Sequence, residues 1–291
     1  MNRVTRATVA IAAAVLLLAG CAPSPAPSPT ASATADIDVG KSIPFATVDG
    51  EELALDACIP GDRSAGPFPS VVLIHGGAFQ EGDRSNMLDL CERLAGQGFA
   101  AFPIDYRLLP ATYPSQIDDT LSAVSWLRQP EQVDRFDIDP DQLSLLGSSA
   151  GGIIALSAAD RLGLNGTPAA SVVTLSAGGD LTADALQLGD PDPNLETVVL
   201  GYLGCTDITD CAVAAEASPV FNVSGLPPTL LVHGSEELIP VDQAELLESA
   251  IGAAGVPVEL EIVDGDRHGL SLLDPATAAD VLGFLSANAS R

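Results

Sequence analysis

Basic residues are scarce in this 291-residue chain: 12 lysines and arginines stand against 39 aspartates and glutamates, a formal net charge of −27. Such a surface repels polyphosphate, which excludes nucleic acid as a partner, and it has no electrostatic attraction to anionic lipid headgroups. Histidine is equally rare, with only His75, His233 and His268. No cysteine pair has CxxC spacing and no histidine lies near a cysteine, so a thiolate metal site is not expected. No internal repeat and no second linker divide the folded part. The most apolar stretch, about Ala7 to Ala19, is too short to span a bilayer comfortably.

That stretch has another reading. It follows Arg3 and Arg6 and ends in "LAGC", Leu18 to Cys21, the pattern of a secretory signal with small residues before the cut. Cysteine directly after Leu-Ala-Gly resembles the lipobox of bacterial lipoproteins. The resemblance implies cleavage before Cys21, a diacylglycerol on its thiol, and anchoring at the outer face of the cell membrane. Residues 1–20 are thus expected as signal peptide. Residues 21–38, with "APSPAPSPTASATA" at their heart, are Pro/Ser/Ala-rich, have no apolar periodicity and read as an extended tether. Residues 39–291 are long enough for one large core.

Four further cysteines suit an exported, disulfide-permissive setting. Cys205 and Cys211 flank the polar "TDITD" and are expected to close that loop; Cys58–Cys91 follows by elimination.

Within the folded part, "DG" at Asp49-Gly50 between apolar-alternating arms predicts a hairpin over Ile43 to Leu55. "VVLIH", "FAAFPID", "QLSLLG", "ASVVTLS", "PTLLVHG" and "PVELEIVDG" read as strands, the most apolar of them covered on both faces. Amphipathic or small-residue helices alternate with them, at about Asn86–Leu94, "QIDDTLSAVSWLRQ", "AGGIIALSAADRL", Val241–Ala254 and Pro275–Ala287. The fold class is therefore α/β, a mostly parallel sheet with helices on both faces. The stretch from about Gly178 to Leu226 reads as an irregular excursion over one edge.

Chemistry concentrates at "LLGSSAGGIIAL". Gly147-Ser148-Ser149-Ala150-Gly151 is G-x-S-x-G after a predicted strand and before a predicted helix, the context the motif requires. Ser149 takes the nucleophile position, and Ser148 the variable slot. A serine hydroxyl needs a base. His268, in "DGDRHGL" after the last predicted strand, is the candidate, because the order Ser…acid…His suits this topology. The acid should lie in "LLVHGSEELIP", which offers Glu236 and Glu237. Backbone N–H groups of "HGGAF", His75 to Phe79, together with that of Ala150, can form an oxyanion hole.

With those parts in order, the chain resembles α/β-hydrolase carboxylesterases, and more narrowly the group related to hormone-sensitive lipase and to feruloyl and acetyl-xylan esterases. The resemblance runs from Ile43 to Leu285 through "LIHGGAF", "DYRLLPATYPSQIDD", "DPDQLSLLGSSAGG", "ASPV", "LPPTLLVHGSEELIP" and "DRHG". It implies Ser149 as nucleophile, His268 as base and Gly77, Ala78 and Ala150 as oxyanion donors. It also implies a structural role for the "YRL" segment, with Arg107 as a buried ion-pair partner. Two departures stand out. The family's acid lies four residues after the histidine of "HG", which is Glu237 here, yet counting back from Pro240 gives Glu236. The strand end fixes the start of that loop, so Glu237 is preferred. Ala78 replaces a third glycine and keeps its backbone donor. The expected activity is hydrolysis of short-acyl or feruloyl/acetyl esters, small or polymer-borne, with no metal or organic cofactor. An amidase or peptidase of the same fold and an inactive surface binding module are the alternatives.

Overall fold

The apolar runs pair side by side into one eight-stranded sheet in the order β1-β2-β4-β3-β5-β6-β7-β8. The computed structural model describes residues 36–289; the signal segment, Cys21 and most of the tether lie outside the described residues. The strands are β1 (Ile37–Val48), β2 (Glu51–Pro60), β3 (Phe68–Ile74), β4 (Ala100–Ile104), β5 (Ile138–Ser148), β6 (Val172–Leu175), β7 (Thr229–Gly234) and β8 (Val258–Val263). β1 and β2 form the hairpin around Asp49-Gly50 and are longer than the sequence suggests, with β1 beginning inside the stretch read as tether. β2 meets β4 antiparallel, and β3 to β8 are all parallel.

The helices are α1 (Leu88–Ala95), α2 (Ser115–Leu127), α3 (Pro130–Phe136), α4 (Ala150–Leu164), α5 (Leu195–Leu203), α6 (Ala214–Ala217), α7 (Val241–Ala253) and α8 (Pro275–Ala289). They cover both faces of the sheet, which is why the central strands read as unbroken apolar runs. Side chains alternate along β3: Val72 and Ile74 face a layer holding Ile117, Val124, Ile154 and Leu247, from α2, α4 and α7. Val71 and Leu73 face Leu90, Leu94, Val281 and Phe284, from α1 and α8. Full burial of each such side chain stabilises by about 1.5–3 kcal/mol.

Parallel pairing brings the carboxyl ends of β3, β5, β6 and β7 to one rim, where ligand sites form in such sheets. Two ion-pair arrangements fix the loops there. Arg107 grips Asp119 of α2 in a two-pronged pair, Nε to Oδ2 and Nη2 to Oδ1, both 2.9 Å. Asp119 is fully buried, and this contact raises the Arg107 pKa. Arg84 bridges Asp56 of β2 and Asp105 after β4. The disulfides are Cys58–Cys91, joining β2 to α1, and Cys205–Cys211, directly after α5.

Candidate active site

β5 ends at Ser148, and α4 begins at Ala150, so Ser149 alone makes the turn. Its backbone sits at φ 54°, ψ −119°, a conformation L-residues avoid, pinned by its N–H to the Leu175 carbonyl at 2.7 Å. Only a residue without a side chain lets α4 come this close: a Cβ on Gly151 would lie 2.2 Å from the Ile74 carbonyl oxygen. The strained turn lifts Ser149 to the rim.

His268 follows β8 and stands in a half-buried loop. Its Nδ1 is hydrogen-bonded to Oε2 of Glu237. A carboxylate only accepts, so the proton sits on Nδ1 and the Nε2 lone pair is left open to the cleft. Glu237 is buried, and its other oxygen accepts from the Gly234 N–H at 2.8 Å and the Ser176 hydroxyl at 2.7 Å. Burial pushes the Glu237 carboxyl up, but its hydrogen bonds to His268, Gly234 and Ser176 and the neighbouring His233 outweigh that and hold it below its ordinary range. Glu236, one residue earlier, is exposed. Its N–H goes to the Gly265 carbonyl at 3.0 Å.

Of the other two histidines, His233 lies behind the acid, its Nε2 3.4 Å from Glu237 Oε1. His233 is buried with Nε2 2.8 Å from the Ile239 carbonyl. His75 is buried against Tyr106, rings 4.2 Å apart, and burial lowers its pKa. Neither lines the cleft with Ser149.

Residues 76–79 lie across the turn from Ser149. Gly77, Ala78 and Phe79 all have positive φ, at 114°, 53° and 62°. A Cβ on Gly77 would meet the Glu81 carbonyl at 2.0 Å, so that position accepts glycine alone. Ala78 takes the left-handed conformation at a cost of about 1–2 kcal/mol, which explains why a glycine suits the same place. Among the described residues, the N–H groups of Gly77, Ala78 and Ala150 have no acceptor within the protein. They are free donors at the mouth of the site.

Two spaces meet at Ser149 and Ala78. One is an apolar pocket of about 100 Å³, walled by Leu181, Leu186, Leu195, Val198 and Val199 of the excursion. The other is an open cleft of about 650 Å³ that contains His268, Asn86, Glu81 and Ser271. The excursion thus lies along the carboxyl-end rim, and Gln243 of α7 braces it by accepting from the N–H groups of Gly179 and Asp180 at 2.9 and 2.8 Å.

Ser176 is a site residue that the sequence does not flag. Its hydroxyl donates to Glu237 and accepts from the Gly269 N–H at 2.7 Å, tying the histidine loop to the acid. A serine ending an apolar strand carries no signal of that role. Its φ of 61° is visible only once the strands converge.

Comparison with known proteins places this fold among relatives. A family model described as alpha/beta hydrolase fold matches residues 71–272. The chain is 31% identical over 242 residues to Esterase LipC of Mycobacterium tuberculosis, covering 76% of this chain and 58% of that protein. It is 30% identical over 231 residues to Esterase LipU of the same organism, covering 71% of this chain and 73% of that one. The chain therefore spans less than two thirds of LipC's length. Among solved structures it overlays on Esterase B from Lactobacillus rhamnosis with TM-score 0.73 at 23% identity, covering 88% and 87% of the two chains. A truncated carbohydrate esterase from gut microbiota overlays with TM-score 0.76 at 20% identity, covering 90% of this chain and 99% of that one.

Proposed function

The chain belongs to the α/β-hydrolase fold family, and on that premise we propose that it is a serine hydrolase of carboxylic esters. The observation that carries the reading is the pair of buried Glu237 and half-buried His268 opening onto the cleft that Ser149 enters from a strained turn. Ser149 Oγ attacks the ester carbonyl while His268 takes its proton at Nε2. Glu237 stabilises the imidazolium that forms. The N–H groups of Gly77, Ala78 and Ala150 receive the oxyanion. His268 then hands its proton to the alkoxide oxygen, the alcohol departs, and water activated by His268 releases the acid. No step requires a metal or an organic cofactor.

The acid and alcohol sides follow from that proton transfer. The leaving oxygen must lie beside His268, so the open cleft takes the alcohol, and the apolar pocket, which His268 does not line, takes the acyl chain. Its size suits a chain of a few carbons. The names of the relatives, esterases all, support the reaction class. Hydrolysis of p-nitrophenyl acetate, butyrate and octanoate tests it. Acetate and butyrate should turn over, with octanoate at least about tenfold poorer in kcat/KM. No turnover of any of them would bring forward an amidase or a binding module.

Export and lipidation at Cys21 belong to the same proposal. The basic start, apolar core and "LAGC" of the N-terminal segment support them. Two disulfides within the described residues suit an oxidising compartment. The chain expressed in a bacterium that processes lipoproteins should fractionate with membranes, and Cys21→Ala should move it to the soluble fraction. An unchanged distribution would remove the anchor.

A further inference from the structure

Ala78 and Phe79 hold left-handed backbone without being glycine, and something must keep them there. The Phe79 ring lies flat on the ring of Tyr202, centroids 3.9 Å apart and planes 9° from parallel. Tyr202 is fully buried on α5 and is itself met edge-on by Tyr113 at 5.9 Å. Backbone bonds close the same unit: the Leu109 N–H donates to the Phe79 carbonyl at 2.9 Å, and the Tyr113 N–H to the Tyr202 carbonyl at 2.8 Å. The near end of the loop is held separately, by the Tyr106 hydroxyl on the His75 carbonyl at 2.9 Å. Its far end is closed by a turn, with the Gln80 and Glu81 N–H groups on the Gly77 carbonyl at 2.9 and 3.1 Å, and that turn is backed by the aromatic stack.

The hydroxyl of Tyr202 is buried and, among the described residues, has no hydrogen-bond partner. What Tyr202 contributes is its ring. That ring shares a helix face with Val198 and Val199, one turn earlier, which line the acyl pocket. One helix thus both walls the acyl pocket and props the loop that carries the oxyanion donors.

We infer that Tyr202 is a positioning residue for catalysis: through Phe79 its ring holds the Gly77 and Ala78 N–H groups on the reacting carbonyl. The inference rests on the esterase reading above. Because oxyanion donors act on the transition state, a loop that drifts should lower kcat and leave KM nearly alone. A pocket wall that merely shifts should instead alter KM and the preference between acyl chains.

The test compares the full chain with Tyr202→Leu and Tyr202→Phe on p-nitrophenyl acetate and butyrate. Tyr202→Leu, which stays apolar but is smaller and loses the flat ring, should lower kcat about 10- to 100-fold on both esters, with KM within about threefold. Tyr202→Phe should stay within about twofold of the wild type in kcat. Phe79→Leu removes the same stack from the other side and should show the same loss, and the double variant should be no worse than either single one. If Tyr202→Leu fails to fold in a thermal melt, Phe79→Leu carries the test by the same kcat criterion. Unchanged kcat in the leucine variants overturns the inference. So does a loss equalled by Tyr202→Phe, additive losses in the double variant, or a change confined to KM or to the butyrate-to-acetate ratio. A wild type inactive on both esters overturns the esterase reading and this inference with it, whereas an active wild type beside unaffected leucine variants overturns the inference alone.

Discussion

Glu237→Gln should lower kcat by about 10⁴-fold while Glu236→Gln stays within about twofold of the wild type. The amide keeps the shape of the side chain, and its oxygen can still accept from the Gly234 N–H and the Ser176 hydroxyl. Its NH₂ then faces His268 Nδ1 and forces that nitrogen to accept. The ring proton moves to Nε2, where a lone pair is needed for the serine proton. Glu236 is exposed and touches His268 nowhere in the structure, so its charge has little leverage. Steady-state kinetics of the two variants, with circular dichroism to verify folding, decides the assignment. A large loss in Glu236→Gln with an active Glu237→Gln would transfer the role.

The same carboxyl leaves a mark on stability. Its native pKa lies below its unfolded one, so its charge stabilises the fold above the unfolded range. That contribution drains away as pH falls through the native value. In Glu237→Gln the acid limb of a denaturation profile should be correspondingly flatter.

Ser149→Ala should cost still more, about 10⁵- to 10⁶-fold in kcat, because the proposed acyl-enzyme forms on this hydroxyl. Ser148 is the nearest rival. It also lines the cleft, but it ends β5 rather than occupying the turn, and a Cβ on Gly269 would lie 2.6 Å from its hydroxyl. Ser148→Ala should therefore retain activity. The two variants, assayed on p-nitrophenyl butyrate and probed by mass spectrometry for a covalent adduct with a fluorophosphonate, separate the serines. An adduct that persists in Ser149→Ala at the wild-type rate would exclude Ser149 as the nucleophile.

Much of this architecture is legible in the sequence because the central strands are covered on both faces. Val71–Ile74 and Leu230–Val232 announce themselves as apolar runs wherever they pack. Helix α3 is not announced. Seven residues are too few for a periodic face to stand out, although Pro130 at its first position is a recognised start signal. The Gly178–Leu226 excursion is opaque for a deeper reason. Its pieces run from three to nine residues and are placed by distant partners, among them Gln243 on Gly179 and the Ser218 hydroxyl on the Leu181 N–H. Local pattern carries no record of such bonds. The places of Ser149 on the turn and His268 after the last strand are legible from motif and order, whereas which of two adjacent glutamates meets His268 depends on one loop register. The bond from the Gly234 N–H back to the Glu237 side chain sets that register in three dimensions.

Each cysteine bridge holds an element that runs on into a wall of the site, and neither lines the site itself. Cys58–Cys91 anchors α1, into which residues 75–87 run after passing Ser149. Cys205–Cys211 ties down the exit of α5, the helix beneath Phe79. Chain made in a reducing cytosol would carry the whole proton relay between two slackened abutments. Its yield of soluble material would then overstate the amount of competent protein, and the place of synthesis becomes part of the specification of the site.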